Sequence, residues 1–193
     1  MTPERSVASS EAPGDLEVLR RFVNTADLEA GSDRLSSPAA AAAWFTEVGW
    51  PERVPTLSAG DLAVLLRLRE AFRGLALENA GHAPRGAPAD VLTEVAGDAP
   101  LQVVLAGGRS GLRPAGVGMN RVVGRLLAIF HEASVAGTWA RLKACANDDC
   151  RWLYFDHSRN GSRRWCASEG CGNLMAARAY RARQRAVRAE GRR

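Results

Sequence analysis

The chain is poor in the side chains that enzymes use. Its 193 residues include only three histidines, His82, His131 and His157. None stands in a nucleophile motif, so no Ser-His-Asp constellation can be assembled. The one glycine-rich run, Gly107-Gly108-Arg109-Ser110-Gly111, lacks the lysine and following Ser/Thr of a nucleotide-binding loop and reads as a hairpin turn. No stretch is long or apolar enough to cross a membrane. Met1 to Asp15 is polar and acidic, without the apolar segment of about 7 to 15 residues that marks an export signal. These absences argue against an enzyme and a membrane protein. They lead us to expect a cytoplasmic chain with reduced cysteines.

Cysteine is absent everywhere except in one 27-residue stretch. Cys145, Cys150, Cys166 and Cys171 fall there as C-x4-C-x15-C-x4-C. Each close pair can supply two thiolates from one turn, and the arm between the pairs brings the turns together. Four thiolates close the coordination shell of a tetrahedral ion, which is the pattern of a structural zinc and leaves no position for substrate. Buried free thiols would be scattered through the chain, and disulfides would require an oxidising compartment. Iron shares the ligand type, but the x4 spacing is looser than the knuckles usual for it. His157 lies between the pairs and reads as a loop or surface histidine. Asp148 and Asp149 read as shaping the first metal-binding turn.

Charge is divided as unevenly as cysteine. Residues 1–140 hold 13 basic and 16 acidic side chains, a net of −3, and residues 141–193 hold 13 and 5, a net of +8. The C-terminal quarter is therefore expected to meet a polyanion. The 46% hydrophobic content is that of a globular protein with a core besides the metal site.

Local signals lay out the rest. Residues 1–14 read as a disordered tail, followed by a helical domain over 15–140 and a zinc module over 141–193. Leu16, Leu19 and Val23 recur at helical spacing. Ser37-Pro38 caps a helix that runs through Ala39–Ala43 to Trp44, Phe45 and Val48. Ser58 to Asp61 has the form of a capping box and opens a long helix. Gly81 to Ala89 is a loop, with a short helix around Val91–Val95. Leu101–Leu105 and Gly111–Pro114 read as a hairpin. A helix follows over 119–136, with His131 just outside its apolar stripe.

Within the zinc module, Arg151–Asp156 is an aromatic, strand-like run and Ser158–Ser162 a turn. Trp152, Tyr154, Phe155 and Trp165 are expected to shield the ion, since so small a unit needs both metal and core. Stacking of these rings on bases is the alternative. After Gly172 the chain is strongly helix-forming. Arg178, Arg181, Arg185 and Arg188 lie within about 80° on one face. Met175, Ala182, Ala186 and Val187 are available to dock that helix. A solvated charged face is the plain alternative, but only Glu190 offsets the arginines. Arginine also suits phosphates and guanine edges.

The constellation Cys145/Cys150, Ser158-Arg159-Asn160, Arg163-Arg164-Trp165-Cys166 and Cys171-Gly172-Asn173 resembles the CGNR zinc-finger family of bacterial proteins. The region before it is similar to the alanine-rich stress-induced transcription regulator domain usually joined to that finger. Its marks are Phe22-Val23-Asn24-Thr25, the capped helix with Trp44, and Leu68-Arg69-Glu70-Ala71. The resemblance implies a transcriptional regulator that binds double-stranded DNA through a structural zinc finger. The local signals themselves point to an α+β, mainly α fold: a helical N-terminal domain with a β-hairpin, then a small treble-clef-like finger of turn, β-hairpin and helix. Arg163, Arg164, Arg178, Arg181 and Arg185, with Arg159 and Asn173 of the motif, are the expected DNA contacts. The N-terminal domain with its hairpin would sense a small-molecule effector or mediate homodimerisation. An RNA-binding or protein-interaction module using the same arginine helix is the competing reading. The family's arginine after Asn173 is Leu174 here, which removes one contact at the head of the helix.

Overall fold

The structure, a computed structural model, describes residues 11–51 and 54–190 and leaves out the side chains of Ser168 and residues 186–190. Helix α1 (Leu16–Val23) buries Leu16, Leu19, Phe22 and Val23 on one face, and Glu17 pairs with Arg20 at 2.6 Å across its outer face. Part of the expected disordered tail, residues 1–10, lies outside the described residues. The rest is ordered by α1: Ala12 is buried and its N–H donates to the Glu17 carboxylate at 2.8 Å.

Helix α2 (Pro38–Glu47) starts as its capping signal predicts, with Ser37 accepting from the Ala40 N–H at 3.1 Å. Its Trp44 and Phe45 form an aromatic cluster with Phe22 and Trp50, mostly tilted or edge-to-face, with ring centroids 4.9–6.3 Å apart. Between α1 and α2 lies a two-residue ladder, β1 (Ala26–Asp27) with β2 (Ser32–Asp33). Helix α3 (Ala59–Asn79) opens on a complete capping box between Ser58 and Asp61 and runs through the centre of the core. Helix α4 (Pro88–Gly97) begins earlier than the predicted Val91, because Pro88 in its first turn is already set at a helical φ.

Strands β3 (Leu101–Ala106) and β4 (Arg109–Pro114) pair in six-residue register around Gly107 and Gly108, both left-handed at φ 57° and 74°. Two successive positive φ values are what a two-residue hairpin turn requires. The base of this hairpin rests on helix α5 (Met119–Val135). A Cβ on Gly124 of α5 would lie 3.3 Å from Pro114 and 3.4 Å from Leu101, so glycine permits the crossing. His131 on α5 is exposed.

A 3-10 turn (Trp139–Arg141) leads to β5 (Leu142–Ala144), which pairs antiparallel with β6 (Leu153–Phe155). Leu142, Ala144, Leu153 and Phe155 enter the same hydrophobic core as α1, α2, α3 and α5. The expected boundary at residue 140 thus falls within a continuous packed unit. The strand-like run 151–156 pairs backwards with β5, so the finger's hairpin straddles the first cysteine pair. A π-turn (Ser168–Gly172) then feeds α6 (Asn173–Glu190). Every residue of α6 from Ala176 to Arg185 is exposed, and only Met175 is half-buried. Ala182, expected to dock the helix, faces solvent, and the side chains of Ala186 and Val187 lie outside the described residues. From Ala176 to Arg185 the helix therefore packs no face against the helical domain.

Candidate metal centre and nucleic-acid interface

Strand β6 has two faces and serves two cores. Leu153 and Phe155 point into the helical domain, whereas Tyr154 points to the cysteines. Alternation along a strand dictates this division. Phe155, expected to shield the ion, is instead part of the main core, and Trp152, Tyr154, Trp165 and Ala167 make the cover. Tyr154 is fully buried and Phe155 is 6% exposed, so neither can stack on a base.

The first cysteine pair sits in the turn joining β5 to β6. The Asn147 carbonyl accepts from the N–H groups of Cys150 at 2.9 Å and Arg151 at 3.0 Å. Arg151 closes the turn in a left-handed conformation, φ 47°, which for a non-glycine residue costs about 1–2 kcal/mol. Arg73 of α3 holds it there by donating to the Arg151 carbonyl at 3.0 Å. The same guanidinium donates to the Val23 carbonyl at 2.8 Å and pairs with Glu70 at 3.0 Å. Asn24 clasps β6 at both ends of its amide: it donates to the Leu153 carbonyl at 2.9 Å and accepts from the Leu153 N–H at 2.8 Å. Arg69 reaches Thr25 at 3.3 Å and Asp33 at 2.8 Å. The marks of family resemblance in the helical domain, Phe22 to Thr25 and Leu68 to Ala71, thus converge on the seam that grips the finger.

The second pair is carried by the π-turn. The Gly172 N–H bonds back to the Ala167 carbonyl at 3.0 Å, so Cys171 faces Cys166. The four Sγ atoms lie within 4.8 Å of one another, with Cys150–Cys166 at 3.6 Å and Cys166–Cys171 at 3.8 Å. Tetrahedral zinc bonded to sulfur at about 2.3 Å places its thiolates about 3.8 Å apart. The residues fit the ion. All four are buried, and Asn147 Nδ2 donates to Cys171 Sγ at 3.6 Å, an outer contact that steadies a ligand. Hydrogen bonds from Cys150 and Cys166 draw the Cys145 thiol down to about 4, and the interaction with Cys145 pushes the other two up. A divalent cation resolves that conflict by taking all four as thiolates. His157 is no ligand: it is exposed, and its Nε2 meets the Glu11 carbonyl at 2.9 Å.

The Ser158-Arg159-Asn160 loop is built around a buried carboxylate. Asp156 pairs with Lys143 at 2.9 Å and accepts from Ser158 Oγ at 2.6 Å and from the backbone N–H groups of Ser158 and Arg163, each at 3.0 Å. Burial alone would raise its pKa, but these bonds outweigh burial and hold it at about 2. Lys143 is the chain's only lysine and also donates to the Gly161 carbonyl. Tyr154 donates its hydroxyl to the Arg163 carbonyl at 2.7 Å, and burial followed by the nearby Asp156 charge pushes its pKa up.

The expected DNA contacts divide by environment. Arg163 turns inward, donating to the carbonyls of Trp165 at 2.8 Å and Cys166, with its guanidinium 4.8 Å from the Tyr154 ring centroid. It braces the second cysteine pair. Arg159 and Arg164 are exposed on the loop, Arg164 lying over Trp165 at 5.5 Å. Asn173 is exposed and donates to the Glu169 carbonyl at 3.4 Å. Arg178 is exposed and pairs with Asp149 at 3.1 Å, while Asp148 pairs with Arg151 at 2.8 Å. Arg181 and Arg185 are exposed, and the Arg188 side chain lies outside the described residues.

A four-thiolate finger seated in the core of a helical domain defines the class: a zinc-binding protein with its metal in a structural role. Family comparisons agree. Residues 141–184 match the CGNR zinc finger, and residues 17–148 match ABATE, described as "Putative stress-induced transcription regulator". The second match spans about two thirds of the chain, which belongs to the ABATE family. Neither is an enzyme family. The matches overlap over 141–148, where β5 and the first cysteine turn serve both units. No curated protein matches the chain, and no helix among the described residues is long and apolar enough to cross a membrane.

Proposed function

We propose that this protein is a cytoplasmic transcriptional regulator that binds double-stranded DNA by placing α6 in the major groove. The observation that carries this reading is the isolation of α6. Helices in proteins usually gain most of their stability by packing an apolar face, yet along this 18-residue helix Met175 alone is half-buried among the described side chains. Its exposed face carries Arg178, Arg181 and Arg185. A helix fits the major groove, where arginine reaches phosphates and guanine edges. Arg159 and Arg164 extend the basic surface at the helix's base. Arg163 is left out, since its guanidinium is occupied by carbonyls. Zinc, when bound, supplies no chemistry beyond holding Cys171 and hence the first turn of α6.

Selection of duplex DNA from a random pool by the zinc-loaded protein tests this, with an Arg181→Ala/Arg185→Ala control. A consensus recovered by the native chain and lost in the control is expected. Preference for single-stranded RNA, or binding only to acidic protein surfaces, would overturn it in favour of the two competing partners.

A further inference from the structure

We propose that two copies of this chain join through the free edge of β3, in an antiparallel pair centred on Val103. The proposal does not depend on DNA binding.

Among the described residues the β3–β4 hairpin is a sheet of two strands only, and α5 supports its base but leaves one strand edge open. Its parity determines what the free edge offers. A two-residue turn makes Ala106 and Arg109 a hydrogen-bonded pair, and such pairs alternate along the ladder. Even-numbered residues of β3 therefore bond to β4. The Ala115 N–H to Pro100 carbonyl bond at 2.9 Å, one step beyond the ladder, confirms this alternation. The N–H and C=O groups of Leu101, Val103 and Leu105 consequently point to the open edge, where no described strand pairs with them.

The side chains of these same three residues share one face. At the base that face rests on α5, where Leu101 and Pro114 approach Gly124. Further out the ribbon twists, and the opposite face turns to α5, with Gly111 near Glu132. Val103 and Leu105 are swung into solvent, 61% and 81% exposed. Exposed strand edges usually carry charge or proline against unwanted pairing. Strand β3 has neither. The arginines of β4, Arg109 and Arg113, pair with Ala106 and Gln102 and so share the other face.

The occupant is argued from symmetry. Leu101-x-Val103-x-Leu105 reads the same in both directions, so an antiparallel copy sets Val103 on Val103, and Leu101 on Leu105. Three pairs form, each exchanging two backbone hydrogen bonds. The result is a four-stranded sheet, β4-β3-β3-β4, with an uncharged apolar ridge along one face.

Sedimentation of the full zinc-loaded chain without DNA tests the proposal. The native protein is expected at about twice the 20.7 kDa of one chain. Val103→Lys and Val103→Glu each set like charges against each other at the two-fold axis, and each is expected to sediment at half the native mass. Mixing the two in equal amounts sets lysine against glutamate and is expected to restore the dimer, which misfolded variants could not do. A native chain that stays at 20.7 kDa at the highest concentration overturns the proposal, as does a variant that stays dimeric or a mixture that stays monomeric. Loss of the consensus on Arg181→Ala/Arg185→Ala with an unchanged dimer mass separates the two readings.

Discussion

The two arms leaving the cysteine cluster are held in different ways. The β5–β6 arm is gripped twice, by the metal and by the helical core, with Asn24 and Arg73 locking its backbone. The α6 arm is held at Cys171 and by the exposed Arg178–Asp149 pair, and its described side chains from Ala176 to Arg185 otherwise face solvent. Buried polar side chains show the same asymmetry. Asn24, Thr25, Arg69, Arg73, Lys143, Asn147, Arg151 and Asp156 are all on the gripped side or inside the finger. The difference suggests a division of labour, in which the core positions the metal and the metal positions the helix.

Removing the metal separates the arms most sharply. Chelation is expected to abolish DNA binding and the helicity of α6, while Leu142–Ala144 and Leu153–Phe155 stay protected. Residue-resolved hydrogen exchange with and without chelator reads this, and simultaneous loss of both arms would break the comparison. Structural zinc contributes about 10–16 kcal/mol in isolated finger peptides.

Arg73→Met attacks the gripped arm. It leaves the carbonyls of Val23 and Arg151 without donors and strips the support from a left-handed residue. A loss of about 3–5 kcal/mol in urea unfolding is expected. Asn24→Ala orphans one N–H and one C=O of Leu153, for about 2–3 kcal/mol. Both variants should weaken zinc retention, which a merely local defect would not do.

Asp156→Asn is expected to cost about 2 kcal/mol. Its carboxyl sits at about 2 against an ordinary 3.8. A depressed folded value means that the stabilisation is fully present above the ordinary value and is lost as pH falls towards the folded one. The gap between native and Asp156→Asn stability should therefore be flat above 3.8 and shrink only below it. A gap already closing at neutral pH would contradict the pairing with Lys143.

Local signals in the chain announced most of the elements. Ser37-Pro38 and the Ser58–Asp61 box marked helix starts because capping is decided within three residues. The cysteine spacing announced the metal for the same reason. The register of the finger's hairpin was hidden, since it depends on Asn24 and Arg73, which reach it from 129 and 78 residues away. Lys143 stands out as the single lysine in an arginine-rich chain, but nothing nearby in the sequence marks it as buried. Arg163 looked like its basic neighbours. What sets it apart is the pair of carbonyls at Trp165 and Cys166, visible only once the loop is folded.

The smallest effect concerns Leu174, 40% exposed at the head of α6. Leu174→Arg restores the family's residue and should leave stability within about 0.5 kcal/mol. It should steepen the salt dependence of DNA binding by about one phosphate contact.

Salt dependence also provides the most direct measurement of the central claim, that the metal presents the arginine face of α6 to duplex DNA. Each neutralised phosphate contributes about −0.9 to the slope of log affinity against log salt. Comparing the zinc-loaded native chain with Arg181→Ala/Arg185→Ala, a slope shallower by about 1.8 is expected. An unchanged slope in the double variant, with zinc still bound, would contradict the claim.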